Sequence, residues 1–123
     1  MIENNNTLED IDFAGQTERQ KKLGLEIRSL AQDFFQKESS KVSLITVTRA
    51  TISRDLSQST IYITVLPESK EMQALSFAKR MRTDLRTVLK KNLQIRKIPN
   101  VEIKIDEGEK ARQRLDEVMR KNK

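Results

Sequence analysis

Residues 52–66 read ISRDLSQSTIYITVL, and this stretch decides the fold. In Ser59–Leu66 apolar and polar side chains alternate, which predicts a β-strand with one buried face. The apolar side chains that share this face are Ile61, Ile63 and Val65.

Residues 54–57 contain an Asp and a Ser, whose side chains bond to the backbone in turns. The preceding segment, Val42–Ser53, is rich in Val, Ile and Thr and predicts another strand, with a bulge or burial on both faces. A short turn between two strands predicts an antiparallel hairpin.

A helix is predicted before the hairpin, from about residue 18 to residue 37. Thr17 is a suitable N-cap, and Glu18 suits the positive end of the helix dipole. A narrow apolar stripe follows at helical spacing: Leu23, Ile27, Leu30 and Phe34. Gly24 is expected to weaken the helix only slightly. The stripe predicts that one side of this helix packs against the sheet.

The periodicity changes again after the hairpin. From Glu71 to about Leu93 an apolar stripe predicts a second helix, and residues 101–105 alternate as a third strand. Residues 109–123 have apolar side chains at helical spacing in a charged context, which predicts a helix that frays at its end. The order is α-β-β-α-β with a C-terminal helical extension, an α+β two-layer sandwich.

The side-chain inventory excludes several classes of protein. The 123 residues include no Cys and no His, so disulfides, Cys/His zinc sites and Ser–His or Cys–His nucleophiles are impossible. No nucleotide-binding motif or membrane-spanning apolar run is visible. Three acids follow the third strand, Asp106, Glu107 and Glu109, but they are more typical of a solvated loop than of a metal site. We expect no enzymatic activity, cofactor, metal, small-molecule substrate or membrane contact, and a monomeric cytoplasmic protein.

The positive charge is concentrated in one segment. The whole chain has a net charge of +6, but residues 79–97 alone hold eight basic residues and one acid. Residues 1–18 hold five acids and no base. Such a cluster of positive charge attracts polyanions. We therefore divide the chain into a disordered acidic tail (1–16), an RNA-binding domain (17–107) and a charged C-terminal helix or tail (108–123).

Two strings resemble the ribosome-binding factor A family of bacterial small-subunit assembly factors. The first is Ile52-Ser53-Arg54-Asp55-Leu56-Ser57 with the Ile61-Tyr62-Ile63-Thr64-Val65 that follows it. The second is Leu93-Gln94-Ile95-Arg96-Lys97-Ile98-Pro99-Asn100-Val101, with Asp106 closing the third strand. The resemblance covers about residues 19–106 and implies a type II KH-like fold. It also implies a partner, the immature 30S subunit with its 16S rRNA, and a role in late assembly and rRNA maturation.

One departure from the family is visible in the predicted second helix. KH domains clamp nucleic acid with a Gly-x-x-Gly loop, and the resembled family has an Ala-x-Gly kink there, which corresponds to Met81-Arg82-Thr83. This chain has no Gly between Gly24 and Gly108. Two alternatives are open: the helix runs straight through, or it kinks weakly at Thr83. Either way, RNA binding is expected to depend more on Lys and Arg side chains.

Eleven basic residues are the candidate RNA contacts. Four of them fall within a sector of roughly 80° on the predicted second helix, on a different face from its apolar stripe. Two more, Arg80 and Lys91, lie elsewhere on this helix, and two lie beyond it. Two resemble basic residues at the start of the family's first helix, and one lies in the hairpin turn. The set is Lys79, Arg80, Arg82, Arg86, Lys90, Lys91, Arg96, Lys97, Arg19, Lys22 and Arg54. With only 4% aromatic residues, phosphate contacts are a better expectation than base stacking.

Other interpretations of these residues remain open. Charge runs are often solvated helix faces, and the basic helix could instead bind an acidic protein partner, as in an adaptor. The acidic tail could also fold back and mask that helix. Ser53–Ser57 either forms a turn around Asp55 or contacts a partner at the hairpin tip; the turn is favoured.

Overall fold

The computed structural model describes residues 16–38 and 43–121. In chain order, the elements are α1 (Glu18–Glu38), β1 (Leu44–Ile52), β2 (Gln58–Leu66), a 3₁₀ turn (Glu68–Lys70), α2 (Glu71–Arg80), α3 (Arg82–Asn92), β3 (Asn100–Ile105) and α4 (Glu107–Lys121). This order confirms the predicted α+β arrangement with a C-terminal helix. Apart from Gln16, the predicted tail 1–16 lies outside the described residues, so its disorder stays a prediction.

The start of α1 is fixed by a reciprocal pair of hydrogen bonds. Thr17 Oγ1 accepts from the Gln20 N–H at 3.1 Å, and Gln20 Oε1 accepts from the Thr17 N–H at 2.9 Å. This is a capping box, which satisfies two N–H groups that the helix itself cannot pair. Gln20 Nε2 also donates to the Ile52 carbonyl at 2.9 Å. The predicted cap at Thr17 is confirmed, and Gln20 ties the helix start to the end of β1.

The sheet has the order β1-β2-β3. β1 and β2 pair antiparallel, which confirms the hairpin, and β2 and β3 pair parallel. The register shifts between Val47 and Arg49, so Thr48 forms the bulge that the imperfect alternation of β1 allowed. A parallel neighbour requires a crossover connection, and α2 and α3 provide it.

The core lies between one face of this sheet and the first three helices. The sheet contributes Ile45, Val47, Ile52, Ile61, Ile63, Val65, Val101 and Ile103. The helices and the residue after α3 contribute Leu23, Ile27, Ala31, Phe34, Phe35, Ala74, Ala78, Leu85, Leu89 and Leu93. The predicted inward face of β2 and the burial of Phe34 are therefore confirmed. In α4, by contrast, no residue is buried.

Gly24 allows α1 to pack closely on β1. A Cβ at this position would lie 2.7 Å from the Ala50 carbonyl oxygen, a backbone atom that cannot move without shifting the strand. The sequence prediction of a slight effect considered helix propensity alone. In the structure, the close approach of helix and strand decides the importance of this residue.

We expect Gly24→Ala to lower the free energy of unfolding by about 1–2 kcal/mol. Overpacking costs about 1–3 kcal/mol, and the better helix propensity of Ala offsets up to about 1 kcal/mol. Urea denaturation measures the difference, with Ser29→Ala on the exposed side of α1 as the control. If Gly24→Ala unfolds at the same urea concentration as the parent, the close contact is incorrect.

The segment predicted as one helix is two helices, which meet at Met81. Met81 has φ −88° and ψ 5°, the conformation of the third residue of a type I turn, which does not require glycine. Its N–H is shared between the carbonyls of Phe77 and Ala78, and Arg82 Nε donates to the Lys79 carbonyl at 3.0 Å. The break satisfies its backbone groups without glycine, and it lies two residues before Thr83. Both open alternatives, a straight helix and a kink at Thr83, are therefore corrected.

The two helices also pack on different elements. α2 lies against β2 and β3, whereas α3 contacts α1 and β3. Both helices therefore share β3 as a neighbour, but each also packs on an element that is not a main neighbour of the other. The basic residues that were predicted to lie on one helix are therefore divided between α2 and α3.

Asp106 joins the end of β3, the bulge in β1 and the start of α4. Its carboxylate accepts from Thr48 Oγ1 at 2.6 Å and from the Glu109 N–H at 3.0 Å, as an N-cap. Arg49 Nε lies 3.5 Å from the same carboxylate, and its guanidinium carbon lies 3.9 Å from the centre of the Tyr62 ring. The acids after β3 were predicted as a solvated loop, but in the structure they begin a helix.

Candidate nucleic-acid interface

A shallow groove lies between α3, the segment 93–99 that follows it, and the turn of the β1–β2 hairpin. The described residues that line it are Ser57, Thr83, Arg86, Thr87, Lys90, Arg96, Lys97, Ile98 and Asn100. Four of these residues are basic and none is acidic. We call this surface the basic groove. Its charge and concave shape suit a negatively charged chain such as RNA.

The basic groove is built where the core ends. Leu85 and Leu89 of α3 are fully buried, which fixes the helix against the sheet. Arg86 and Lys90 each follow one of these residues by a single position, so they lie at the edge of the buried face. The core therefore sets the positions of these charges, and Lys90 is exposed to solvent while Arg86 is half-buried.

The third side of the groove comes from the hairpin turn. The Asn100 N–H donates to the Ser57 carbonyl at 2.9 Å, which joins the turn to the start of β3. Asn100 and Gln58 are then partners in the parallel ladder. Residues that are far apart in sequence thus meet at one end of the sheet.

Of the eleven predicted contacts, the structure brings four to the basic groove: Arg86, Lys90, Arg96 and Lys97. The others are exposed elsewhere: Lys79 and Arg80 in the last turn of α2, Arg82 at the start of α3, Lys91 in its last turn, Arg19 and Lys22 at the start of α1, and Arg54 in the hairpin turn. Basic residues in the last turn of a helix also stabilise that helix, because their charges interact favourably with the helix dipole. This structural role applies to Lys79, Arg80 and Lys91.

Of the uncharged polar lining residues, only Ser57 was considered as a possible contact from the sequence, as part of the string Ser53–Ser57. Ser57, Thr83, Thr87 and Asn100 carry hydroxyl or amide groups of the kind that bond to phosphate and sugar oxygens. Thr87 Oγ1 already donates to the Thr83 carbonyl at 3.2 Å. No local signal marks Thr83, Thr87 or Asn100, because only the fold brings the turn, α3 and β3 together.

The hairpin turn is organised around Asp55. One oxygen, Oδ1, accepts from Ser53 Oγ and Ser57 Oγ, both at 2.7 Å, and from the Ser57 N–H at 3.1 Å. These bonds, led by the one from the Ser57 hydroxyl, lower the pKa of Asp55 to about 2. Leu56 adopts φ 63°, a left-handed conformation uncommon for Leu, and packs against the core. The structure therefore supports the turn interpretation of this string.

We expect Asp55→Ala to reduce stability at neutral pH, with at most a small change in RNA affinity through the position of Ser57. Because the folded pKa is depressed, the ionised carboxylate stabilises the fold above about pH 4, and this contribution is lost as the pH falls towards 2. The difference in unfolding free energy between parent and variant should therefore shrink as urea denaturation is repeated from pH 7 to pH 2.5. Loss of RNA binding with unchanged stability would instead support a direct contact at the hairpin tip.

Within residues 16–38 and 43–121, no cluster of His, Cys, Asp or Glu could hold a metal ion. In the same ranges, no helix is both long and apolar enough to span a bilayer.

Comparison with known proteins gives a consistent result. The family model for ribosome-binding factor A matches residues 19–119. The ribosome-binding factor A of Flavobacterium johnsoniae is 29% identical over 110 residues, which are 85% of this chain and 85% of that protein.

Solved structures show the same fold. The crystal structure of ribosome-binding factor A from Thermus thermophilus matches with a TM-score of 0.59 and 23% identity, covering 66% of this chain and 89% of that one. A Thermus thermophilus ribosome binding factor A model, fitted into a cryo-EM map of a 30S–RbfA complex, matches with a TM-score of 0.53 and 22% identity, covering 64% and 86%. The chain belongs to the ribosome-binding factor A family.

Proposed function

We propose that this protein is a non-enzymatic RNA-binding factor that associates with the immature 30S ribosomal subunit. In this role it assists late assembly and 16S rRNA maturation. The observation that carries the proposal is the basic groove. Its described lining residues include four cations and no acid, and they come from three separate parts of the chain.

The chemistry of the groove favours RNA over other polyanions. Its cations can pair with phosphates, while the hydroxyl and amide groups between them can bond to sugars and phosphates. The groove contains no aromatic side chain among its described lining residues. Recognition of the RNA backbone, rather than of stacked bases, is therefore the mode that this surface supports best.

The family supports the choice of ribosomal partner. The Thermus thermophilus relative is named as part of a 30S–RbfA complex, and the present chain shares its fold. A basic groove on this fold would place the positive charge against rRNA, which forms much of a subunit surface. The cytoplasm is the compartment where such an interaction takes place.

Sedimentation of the full chain with small subunits tests the proposal. In sucrose gradients at low salt, we expect the protein to comigrate with immature 30S particles and to bind assembled 70S ribosomes weakly or not at all. Crosslinking should then join the protein to 16S rRNA. If the protein stays in the free fraction at low salt, association with the subunit is incorrect.

The absence of catalysis is tested on the same particles. Immature subunits that carry precursor 16S rRNA are incubated with the protein alone, and the RNA is separated by gel electrophoresis. We expect the RNA length to stay unchanged, because maturation would need a separate nuclease. Shortening of the precursor by the purified protein would contradict the proposal.

A further inference from the structure

Arg86 uses its guanidinium group to hold the backbone of the segment that follows α3. Its Nε donates to the Pro99 carbonyl at 3.1 Å, and Nη2 donates to the Ile98 carbonyl at 3.3 Å. Two donors of one planar group thus bond to consecutive carbonyls. Among the four cations of the basic groove, Arg86 is the one that is half-buried; the others are exposed.

The segment 93–99 has no helix or strand and depends on its ends for its position. At one end Leu93 is buried and its N–H donates to the Leu89 carbonyl at 2.8 Å. At the other end Pro99 is fully buried. Arg96 and Lys97 lie exposed between these ends, with Ile95 and Ile98 packed partly against the core.

We infer that Arg86 is a positioning residue, which holds the segment 93–99 so that Arg96 and Lys97 face the same groove as Lys90. This inference rests on the proposed function. It assigns Arg86 a different role from the phosphate contact predicted from the sequence, because two of its five guanidinium donors bond to backbone carbonyls and its side chain, unlike those of the other three cations, is half-buried. A side chain that fixes its neighbours in the bound conformation raises affinity by reducing the entropy lost on binding.

The planar guanidinium is essential to this role. Lys keeps the positive charge but offers a single ammonium group, which cannot reproduce the two parallel directions of the Arg fork. Arg86→Lys therefore separates charge from geometry. A phosphate contact would largely survive this change, whereas the bonds to Pro99 and Ile98 would not both survive.

The test compares Arg86→Lys in two backgrounds, the parent chain and the double variant Arg96→Gln/Lys97→Gln. The probe is a fluorescent 12-nucleotide single-stranded RNA of mixed sequence, titrated in 0.1 M salt at a temperature where circular dichroism shows every variant folded. In the parent we expect Arg86→Lys to weaken binding by about 10-fold. The phosphate contacts of Arg96 and Lys97 are then partly lost, and each contributes about 0.7 units of log affinity at this salt concentration. In the double variant we expect a change of less than about 2-fold, because the residues through which Arg86 acts are already absent.

The matched control is Lys90→Gln in the same two backgrounds. Lys90 contacts the probe on its own, so the same factor of about 5-fold is expected in both. A loss of stability alone would weaken binding by the same factor in both backgrounds. A smaller effect of Arg86→Lys in the double variant therefore indicates positioning rather than folding. Arg86→Gln provides a second variant without the charge, which should weaken binding at least as much as Arg86→Lys.

Two results would overturn the inference alone. Either Arg86→Lys binds like the parent, or its effect is the same factor in both backgrounds, as for a direct phosphate contact. If neither Lys90→Gln nor the double variant changes RNA affinity, the basic groove does not bind RNA. The proposed function and this inference are then both incorrect.

Discussion

Changing Lys90, Arg96 and Lys97 together to Glu should reduce affinity for single-stranded RNA by at least about 100-fold in 0.1 M salt. Each phosphate contact to a single strand contributes about 0.7 to the slope of log affinity against log salt. A salt concentration of 0.1 M is one decade below 1 M, so three lost contacts lower the logarithm of the affinity by about two units. Glu adds repulsion, so the loss should exceed this value. The slope itself should become smaller by about 2.

The salt series distinguishes the basic groove from net charge. A control variant with the same change of charge carries Lys37→Glu, Lys104→Glu and Lys121→Glu, three exposed residues away from the groove. We expect this control to lose less than about 10-fold in affinity and to keep most of its slope, since distant exposed charges are screened at this ionic strength. Fluorescence anisotropy from 50 to 200 mM salt measures both values. Equal losses in the two triple variants would mean that the groove has no special role.

Replacing Asp106 by Ala should lower the free energy of unfolding by about 2–4 kcal/mol. The variant loses the N-cap of α4, which contributes about 0.5–2 kcal/mol. It also removes the hydrogen bond from Thr48 Oγ1 to the Asp106 carboxylate, and a bond to a charged group contributes about 1.5–3 kcal/mol. The half-buried Thr48 hydroxyl keeps the Tyr62 carbonyl, at 3.3 Å, as an acceptor. Asp106 is 8% exposed, so water does not readily replace the lost bonds.

The direction of the pH effect follows from the same contacts. Burial raises the pKa of Asp106, but the bonds from Thr48 and the Glu109 N–H, together with Arg49, outweigh it and keep the pKa below its usual value. A depressed folded pKa means that the stabilisation is present at neutral pH and is lost as the pH falls below about 4 through that pKa. The effect of Asp106→Ala should therefore be largest near pH 7.

Urea denaturation of two further variants completes this experiment. Asp106→Asn keeps an oxygen for the Glu109 N–H but loses the charge, so we expect a loss smaller than that of the Ala variant. Asp116→Ala removes an exposed acid of α4 whose partner is Arg112, and such surface pairs contribute at most about 1 kcal/mol. If Asp106→Ala is no less stable than Asp116→Ala, Asp106 does not join β1, β3 and α4 as described.

The break between α2 and α3 shows that the fold does not need glycine at this point. Met81 has an ordinary conformation, and the neighbouring backbone groups are paired by Phe77, Ala78 and Arg82. Sequence patterns mark helix breaks by Gly and Pro, and neither occurs between Glu71 and Asn92. The apolar stripe continued through the break because both helices bury the same side, so periodicity alone predicted one helix.

Periodicity predicted the elements well for a physical reason. A strand or helix with one buried face repeats its apolar side chains at a period of 2 or about 3.6, and this can be recognised within a single segment. The hairpin, the first helix and the third strand were identified in this way. The concentration of positive charge in residues 79–97 was likewise a property of the sequence.

The roles of individual residues required the assembled structure. Gly24 was predicted to weaken its helix slightly, whereas in the structure it allows close packing against the Ala50 carbonyl. Asp106 was predicted to lie in a solvated loop, whereas in the structure it accepts a hydrogen bond from Thr48, which lies 58 positions earlier in the chain. In both cases the partner is distant in sequence, and no local pattern encodes that distance.

By itself, then, the sequence determined the order of the elements apart from the break at Met81, the apolar faces of the elements that form the core, the basic segment and the resemblance to one family. Tertiary structure alone decided which four of eleven basic residues share a groove, and it joined them to Ser57 and Asn100. Periodicity reflects the contact of each segment with the core, whereas a groove forms where several segments meet. Arg86 illustrates the difference, because its charge is apparent in the sequence but its two backbone partners are apparent only in the fold.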